Sequence, residues 1–240
     1  MTIGLIIAAG KQTRFKSDIP KALVPYKDKP LVEVNIERLS RYCDDVYVVC
    51  SNENYPLFSA YKRIKISSGL GCGDAVFKAL TQLFNSSMLG DFSTFIQWGD
   101  CIVDPLVYTS CVKEANNAST ALMIPCKKET HPYVAVEYDH TNQVKVKFSK
   151  YDKMPTHGYH DLSAFYISSA YSLLQALISF RSQFMLNGAY NYPNRNNEFQ
   201  FLDVLNAGLI NGHIIDLTSE HTQCFSFNTL EEYNNAKELF

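Results

Sequence analysis

Three basic residues follow the first apolar segment of the chain and could together bind a polyphosphate. Lys11, Arg14 and Lys21 lie within eleven residues of one another. The segment before them, Ala8-Ala9-Gly10, has small side chains that let backbone N–H groups approach a ligand closely. Backbone amides combined with cations are typical of phosphate sites. The sequence therefore predicts a phosphate-binding loop, with a solvated basic loop as the alternative.

A second candidate is the run of glycines at Gly69, Gly71 and Gly73, which precedes Asp74 at the start of a predicted helix. Alternating glycines require unusual backbone angles or the close approach of a ligand. The N-terminus of a helix adds the positive end of a dipole, which favours an anion. The alternative is an N-terminal turn in which Asp74 is only a first-turn acid.

The elements that must position these residues alternate between strand and helix in the first hundred residues. Four apolar segments predict strands at Ile3–Ala8, Asp45–Cys50, Arg63–Ser67 and Thr94–Trp98. Helical spacing around residues 31–39 and 75–83 separates them. This alternation predicts a parallel sheet with helices on both faces and ligands at the carboxyl ends of its strands.

The second half of the chain has a different pattern, and no linker divides it from the first. It predicts a hairpin, a turn-rich polar loop at 187–197, and further elements at Ala170–Phe184 (helix), Glu198–Asn211 (helix), His213–Leu217 (strand) and Leu230–Phe240 (helix). We expect one domain over residues 1–240, with a nucleotide-binding half at 1–110 and an acceptor-binding half at 111–240.

Composition narrows the classes of function. Of the 240 residues, 22 are Lys or Arg and 24 are Asp or Glu, for a formal net charge of −2, which argues against nucleic acid as a partner. No apolar run approaches the roughly 18 residues of a membrane span, so no membrane partner is expected. Seven cysteines without C-x-x-C spacing indicate reduced thiols in a cytoplasmic protein.

Neither G-x-G-x-x-G nor G-x-x-x-x-G-K-[ST] follows a strand, which disfavours nicotinamide-dependent and P-loop chemistry.

The basic segment resembles a known signature, A-A-G-x-G-x-R-[MF] followed by P-K. It reads here as Ala8-Ala9-Gly10, Arg14-Phe15 and Pro20-Lys21, and the match continues through Lys29-Pro30-Leu31-Val32-Glu33. The chain is thereby similar to the nucleotidyltransferase superfamily, in particular phosphocholine cytidylyltransferases and sugar-phosphate nucleotidyltransferases. This resemblance implies an α/β fold, a Rossmann-like mixed, mostly parallel sheet flanked by helices, and transfer of a nucleoside monophosphate with release of pyrophosphate.

The resemblance also implies roles for individual residues. Arg14 and Lys21 would be catalytic and Asp100 would bind Mg²⁺, whereas Asp104 would cap the helix that follows or orient the loop. The nucleotide-binding residues would be Ala8, Ala9, Gly10, Lys11, Gln12, Gly71, Gly73 and Asp74.

The chain departs from the family pattern at two positions. Gln12 stands where a second glycine is usual. Ser226 stands where the second metal carboxylate is usual, so either Asp100, phosphates and water hold the metal, or another acid such as Asp216 contributes.

For the acceptor, the resemblance implies Lys150 and Glu198 as binding residues. The A-A-G and P-K-A-L-V segments favour CTP as the nucleotide. Size and motif layout resemble the phosphoglutamine cytidylyltransferases of bacterial capsule phosphoramidate synthesis. Alternatives are a sugar-phosphate nucleotidyltransferase that uses UTP or dTTP, a glycosyltransferase, which would usually show D-x-D, and a non-catalytic nucleotide-binding module. The sequence is compatible with a homodimer.

Overall fold

A computed structural model describes residues 1–10, 14–15, 17–67, 69–86, 90–116, 121–150, 152–192, 197–222 and 224–237. Within these residues ten strands form one mixed sheet. They are β1 (Thr2–Ile7), β4 (Asp45–Ser51), β5 (Arg63–Ile66), β6 (Ser93–Trp98), β8 (Leu122–Thr130), β9 (Val134–Tyr138), β10 (Val144–Phe148), β11 (His157–Asp161), β12 (Ala164–Ile167) and β15 (Gly212–Asp216).

Short strand pairs and helices complete the described part of the chain. The pairs are β2 (Pro25–Tyr26) with β3 (Lys29–Pro30), β7 (Cys101–Ile102) with β16 (Phe225–Ser226), and β13 (Met185–Leu186) with β14 (Ala189–Tyr190). The α-helices are α1 (Leu31–Leu39), α2 (Cys72–Ser86), α3 (Pro105–Ala115), α4 (Ala170–Gln183), α5 (Asp203–Asn206) and α6 (Leu230–Lys237).

The sheet confirms the predicted fold class. Its strand order is β10-β9-β11-β8-β12-β6-β1-β4-β5, with β15 pairing in parallel with β8. Strands β6, β1, β4 and β5 are mutually parallel, and β1 lies between β4 and β6. Strands β8 to β12 add antiparallel pairings.

Alternate residues of the strands pack on opposite faces of the sheet, because successive side chains in a strand point to opposite sides. Leu5 belongs to a buried cluster with residues of α2 and α4, whereas Ile6 belongs to a second cluster with residues of α1 and α3. Both side chains are 0% exposed. Burial on both faces explains why β1 has an almost continuous apolar sequence.

All four strands predicted in the first hundred residues are confirmed to within one residue at each end. The helix at Ala170–Gln183 and the strand at Gly212–Asp216 also confirm predictions. Helix α6 confirms the last predicted helix as far as Lys237, and residues 238–240 lie outside the described part. The 187–197 segment was predicted as a loop, and its start instead forms β14 of a short hairpin.

The helix predicted at Glu198–Asn211 is wrong over most of its length. Only Asp203–Asn206 is α-helical. The residues before it are not helical, because Phe199 forms two backbone hydrogen bonds with the glycine-rich segment, donating its N–H to Leu70 O and accepting the Gly73 N–H. None of the helices in the described residues is long and apolar enough to cross a membrane.

Candidate active site

The end of β1 forms the floor of a cavity of about 540 Å³. Ala8, Ala9 and Gly10 all line this cavity, at the carboxyl edge of the parallel strands. The Ala8 N–H donates to Val49 O at 2.8 Å, and the Gly99 N–H donates to Ile7 O at 2.9 Å. These bonds fix the strand end between its two neighbours. The predicted Lys11 and Gln12 lie outside the described residues.

Arg14 lies at the mouth of the same cavity and is held there by its neighbour in sequence. Phe15 is 0% exposed and packs against Phe227 and Tyr233, with ring centroids 5.7 and 6.3 Å away. The Arg14 Nη2 donates to Asn228 Oδ1 at 2.9 Å, and both side chains line the cavity. An exposed cation on a buried aromatic anchor can reach a polyphosphate without losing its position.

Lys21 forms the centre of the polar part of the site. Its Nζ lies 3.0 Å from Asp100 Oδ2 and 3.0 Å from the Phe227 carbonyl oxygen. The Lys21 side chain is 12% exposed, and the Asp100 side chain is 33% exposed. The two residues predicted as catalytic cation and metal ligand are therefore in direct contact, where β1 and β6 end.

The structure also shows where Ser226 lies, the residue that stands in place of the second carboxylate of the family pattern. Strand β16 pairs antiparallel with β7, which places Ser226 opposite Cys101, the neighbour of Asp100. Asp216 does not line the cavity, and its carboxylate accepts hydrogen bonds from Tyr159 and Thr218. Asp216 is therefore not a substitute for the missing acid.

The residues present fit a Mg²⁺ site in which the protein supplies a single carboxylate. Among the described residues, no three His, Cys, Asp or Glu side chains come together as a metal cage. Magnesium is commonly held by one or two carboxylates together with substrate phosphates and water. Asp100 supplies one carboxylate at the cavity, so a triphosphate would have to supply further oxygens. Asp104, as predicted, caps α3, and its Oδ1 accepts the Leu106 N–H at 2.9 Å.

The glycine-rich segment forms one wall of the cavity. Gly71 has φ of +107°, and a Cβ at this position would lie 2.9 Å from Phe199 N and nearer still to the Phe199 carbonyl oxygen. Glycine is required here both by its backbone angle and by close approach of another backbone. Gly73 does not line the cavity; its N–H donates to Phe199 O at 2.9 Å.

Asp74 differs from its predicted role as a nucleotide contact. Its side chain is 1% exposed and forms ion pairs with Arg181 and with Lys78, the latter at 2.8 Å. Its Oδ2 also accepts the Leu70 N–H at 3.1 Å. Asp74 therefore holds the glycine-rich segment in place from behind and does not face the cavity.

The two predicted acceptor-binding residues come together across the cavity. Lys150 Nζ lies 3.6 Å from Glu198 Oε2, and both side chains are about one-third exposed. Gln200 Nε2 donates to Glu198 Oε2 at 2.9 Å. Lys150 also lines a second cavity, which places it where the two cavities meet.

The second cavity adjoins the first and has a volume of about 480 Å³. Asp100 and Trp98 line both cavities. The lining of the second cavity mixes aromatic side chains such as Phe148, polar side chains such as His160, and the buried acid Asp161. Asp161 was not predicted as a site residue, because neither β11 nor β12 was predicted from the sequence.

Comparison with known proteins adds sequence and structural relatives. A model of the MobA-like NTP transferase domain family matches residues 4–166. The 2-C-methyl-D-erythritol 4-phosphate cytidylyltransferase of Thermosipho africanus is 38% identical over 55 residues, covering 23% of this chain and 24% of that protein. The bifunctional protein GlmU of Acholeplasma laidlawii is 36% identical over 109 residues, covering 43% and 22%. The chain thus spans no more than about a quarter of the length of the curated relatives it matches.

Solved structures share the fold over nearly the whole chain. HddC from Yersinia pseudotuberculosis superposes with a TM-score of 0.69 at 18% identity, covering 100% of both chains. A structure of HddC complexed with GMP-PN has a TM-score of 0.68 at 19% identity, again covering 100% of both chains. The inositol-1-phosphate CTP transferase from T. maritima has a TM-score of 0.68 at 14% identity, covering 99% of this chain and 94% of that one. At these identities the likeness establishes the fold.

Proposed function

The chain belongs to the family of MobA-like NTP transferase domains, and from this premise we propose that it transfers a nucleoside monophosphate from a nucleoside triphosphate to a small phosphorylated acceptor. The observation that carries the proposal is the meeting of two cavities at Asp100. One cavity is lined by a small-residue strand end and the three cations Arg14, Lys21 and Lys150, and the other is large enough for a small acceptor.

In the proposed reaction an oxygen of the acceptor phosphate attacks the α-phosphorus, and the bond from that phosphorus to the leaving pyrophosphate breaks. The nucleophile is already ionised at neutral pH, so no general base is required. Catalysis then depends on positioning and on neutralising charge. Arg14 would neutralise the β- and γ-phosphates with Lys11. Lys21, held by Asp100 and the Phe227 carbonyl, would face the α-phosphate.

Asp100 is the residue that would hold Mg²⁺. When bound with a triphosphate, this cation would neutralise negative charge on the phosphate oxygens. The Lys21 ammonium would then exchange part of its bond with Asp100 for a bond with phosphate. Because Ser226 replaces an acid, the protein contributes less negative charge here than a two-carboxylate site would.

CTP is the favoured nucleotide. This choice is supported by the A-A-G and P-K-A-L-V segments. It is also supported by the similarity to a 2-C-methyl-D-erythritol 4-phosphate cytidylyltransferase. The acceptor we carry forward is phosphoglutamine, in capsule synthesis, with sugar phosphates used with UTP or dTTP as the alternative. A non-catalytic nucleotide-binding module is a second candidate, and Ser226 is the observation that favours it.

The test is release of pyrophosphate from CTP, UTP, dTTP, ATP and GTP with phosphoglutamine, phosphocholine and sugar 1-phosphates, with and without Mg²⁺. We expect Lys21→Ala to lower turnover about a hundredfold or more, as loss of one preorganised donor does elsewhere. The matched control is Lys62→Ala, since Lys62 forms an exposed pair with Asp45 away from both cavities. No pyrophosphate in any combination, with tight nucleotide binding by calorimetry, would contradict the enzyme and support the binding module.

A further inference from the structure

Three side chains of α1 and of the turn that follows it donate hydrogen bonds to three backbone carbonyls of the segment after Asp100. The pairs are Asn35 Nδ2 with Cys101 O at 2.8 Å, Arg38 Nη1 with Val103 O at 2.7 Å, and Tyr42 Oη with Pro105 O at 3.2 Å. The donors have the spacing i, i+3 and i+7, which is typical of one helix face. The acceptors belong to alternate residues, which face the same side of an extended chain. The two spacings match, so the segment is held at three successive points.

The bond from Asn35 is the one nearest to Asp100. Cys101 directly follows Asp100 in the chain, and it lies opposite Ser226 in the pairing of β7 with β16. The Asp100 carboxylate itself is held by the Lys21 ammonium at 3.0 Å. Asn35 therefore fixes the backbone that carries the predicted metal ligand and that pairs with the position of the second carboxylate.

The same helix supports the segment that carries Lys21. Where α1 begins, the Leu31 N–H donates to Val24 O at 2.9 Å, three residues after Lys21. Ala22, the residue next to Lys21, belongs to the same buried cluster as Val32 of α1. The cation and the carboxylate at the centre of the site are thus both supported by α1.

Asn35 is an unusual residue for a buried helix face. Its side chain is 0% exposed, and among the described residues no donor reaches its Oδ1. A buried amide with one unsatisfied atom costs stability that an apolar side chain would not cost. The bond from Nδ2 to Cys101 O is the interaction that an apolar residue at this position could not supply.

We infer that Asn35 is a positioning residue for the metal site, and that α1 sets the place of Asp100 through the Cys101 carbonyl. The inference rests on the proposed function, because it takes Asp100 as the carboxylate that holds Mg²⁺. Since Asn35 is fully buried, it acts through the backbone and not by touching a substrate.

Asn35→Leu tests the inference, because leucine has a similar shape and cannot donate to Cys101 O. Calorimetry gives the affinity for CTP, or for the nucleotide that binds most tightly in the screen above, with and without saturating Mg²⁺. The ratio of the two affinities measures the gain due to the metal. We expect Asn35→Leu to lower this ratio at least threefold, which is the scale of one hydrogen bond, with the affinity in the absence of Mg²⁺ unchanged. A ratio that falls by less than threefold would overturn the inference.

Tyr42→Phe is the matched control, because it removes the bond farthest from Asp100. This variant should leave the ratio unchanged, and a fall equal to that of Asn35→Leu would show general loosening and overturn the assignment. If Asn35→Leu does not fold, Arg38→Met removes the middle bond and retains the alkyl part of the side chain. Its ratio should fall about twofold, and a ratio equal to that of the wild type would overturn the inference.

A double-mutant cycle with Asp100→Asn shows whether Asn35 acts through Asp100. In the Asp100→Asn protein, Asn35→Leu should cause no further fall in the ratio. A further threefold fall would show that Asn35 acts on another group, which would overturn its role as a positioning residue for Asp100.

Pyrophosphate release separates this inference from the proposed reaction. If no pyrophosphate is released but the ratio falls in Asn35→Leu as expected, the transferase proposal fails and the positioning role is supported. A wild-type protein whose nucleotide affinity does not depend on Mg²⁺ would overturn the positioning role, whether or not pyrophosphate is released.

Discussion

Substitution of Gly71 by alanine is expected to disturb both cavities at once. The added Cβ would lie 2.9 Å from Phe199 N and closer still to its carbonyl oxygen, at a residue whose φ is +107°. Those two Phe199 atoms donate to Leu70 O and accept the Gly73 N–H. The substitution therefore pushes the acceptor-side segment that carries Glu198 away from the glycine-rich wall.

The magnitude has two parts. A left-handed backbone angle costs a non-glycine residue about 1–2 kcal/mol. Overlap with a hydrogen-bonded backbone adds a further cost on the order of 1–2 kcal/mol, as overpacking does elsewhere. We expect the free energy of unfolding to fall by about 2–4 kcal/mol, which lowers Tm by roughly 4–16 °C for a chain of this size.

Two other glycines separate these contributions. Gly188 has φ of +81° with no atom within 4 Å of an added Cβ, so Gly188→Ala reports backbone strain alone. Gly90 has open space and no positive φ, so Gly90→Ala should change the free energy of unfolding by less than about 0.5 kcal/mol.

The assay is thermal unfolding of the three variants, combined with KM for nucleotide and acceptor. Only Gly71→Ala should raise both KM values. A Gly71→Ala protein that melts with the wild type and keeps both values would refute the reasoning.

Three further perturbations follow from the same geometry. Ser226→Asp should lower the Mg²⁺ concentration needed for half-maximal pyrophosphate release, because it adds a carboxylate oxygen beside Asp100; an unchanged requirement in a Mg²⁺ titration would place Ser226 outside the metal site. Asp74→Asn should lower the free energy of unfolding in urea by about 3–5 kcal/mol, since it leaves Arg181 buried without a counter-charge, and a loss below 1 kcal/mol would argue against the ion pair. Burial raises the pKa of Asp203 to about 6, above its value of about 3.9 in unfolded chains. Ionisation of Asp203 is therefore less favourable in the folded protein than in the unfolded chain. Its contribution to the free energy of unfolding is fully present below about pH 4, and up to about 3 kcal/mol is lost as the pH rises through 6. Urea unfolding between pH 4 and 7 should show this loss in the wild type but not in Asp203→Asn, and parallel pH profiles would contradict it.

Much of the first cavity could be predicted from the sequence. Parallel strands buried on both faces appear as short apolar runs, and their carboxyl ends locate ligands without knowledge of side-chain packing. Ala8-Ala9-Gly10 and Asp100 line the cavity for this reason. The partner of Asp74 was not predictable, because Arg181 is 107 residues away in the chain and meets it only when α4 packs on α2.

The part of the site contributed by the second half of the chain was less predictable, for a physical reason that Phe199 illustrates. Phe199, Leu202 and Leu205 have the spacing of an apolar helix face. The backbone of Phe199 instead hydrogen-bonds with the glycine-rich segment, because Gly71 lacks the Cβ that would block it. A contact across more than a hundred residues thus overrides a local helical preference.

Antiparallel pairing explains why Asp161 was not predicted although it lines the same cavity as the predicted metal ligand Asp100. In the parallel part of the sheet, a residue's place at the site follows from the strand on which it lies. Strands β11 and β12 are antiparallel to their neighbours, so either end of a strand can reach the site. Position along an antiparallel strand says little about the cavity until the register is known, and the register Asp161↔Cys126 is set by pairing with β8. Residues of the antiparallel strands that line the second cavity therefore lie where the sequence is least informative, whereas the residues at the end of β1 lie where it is most informative.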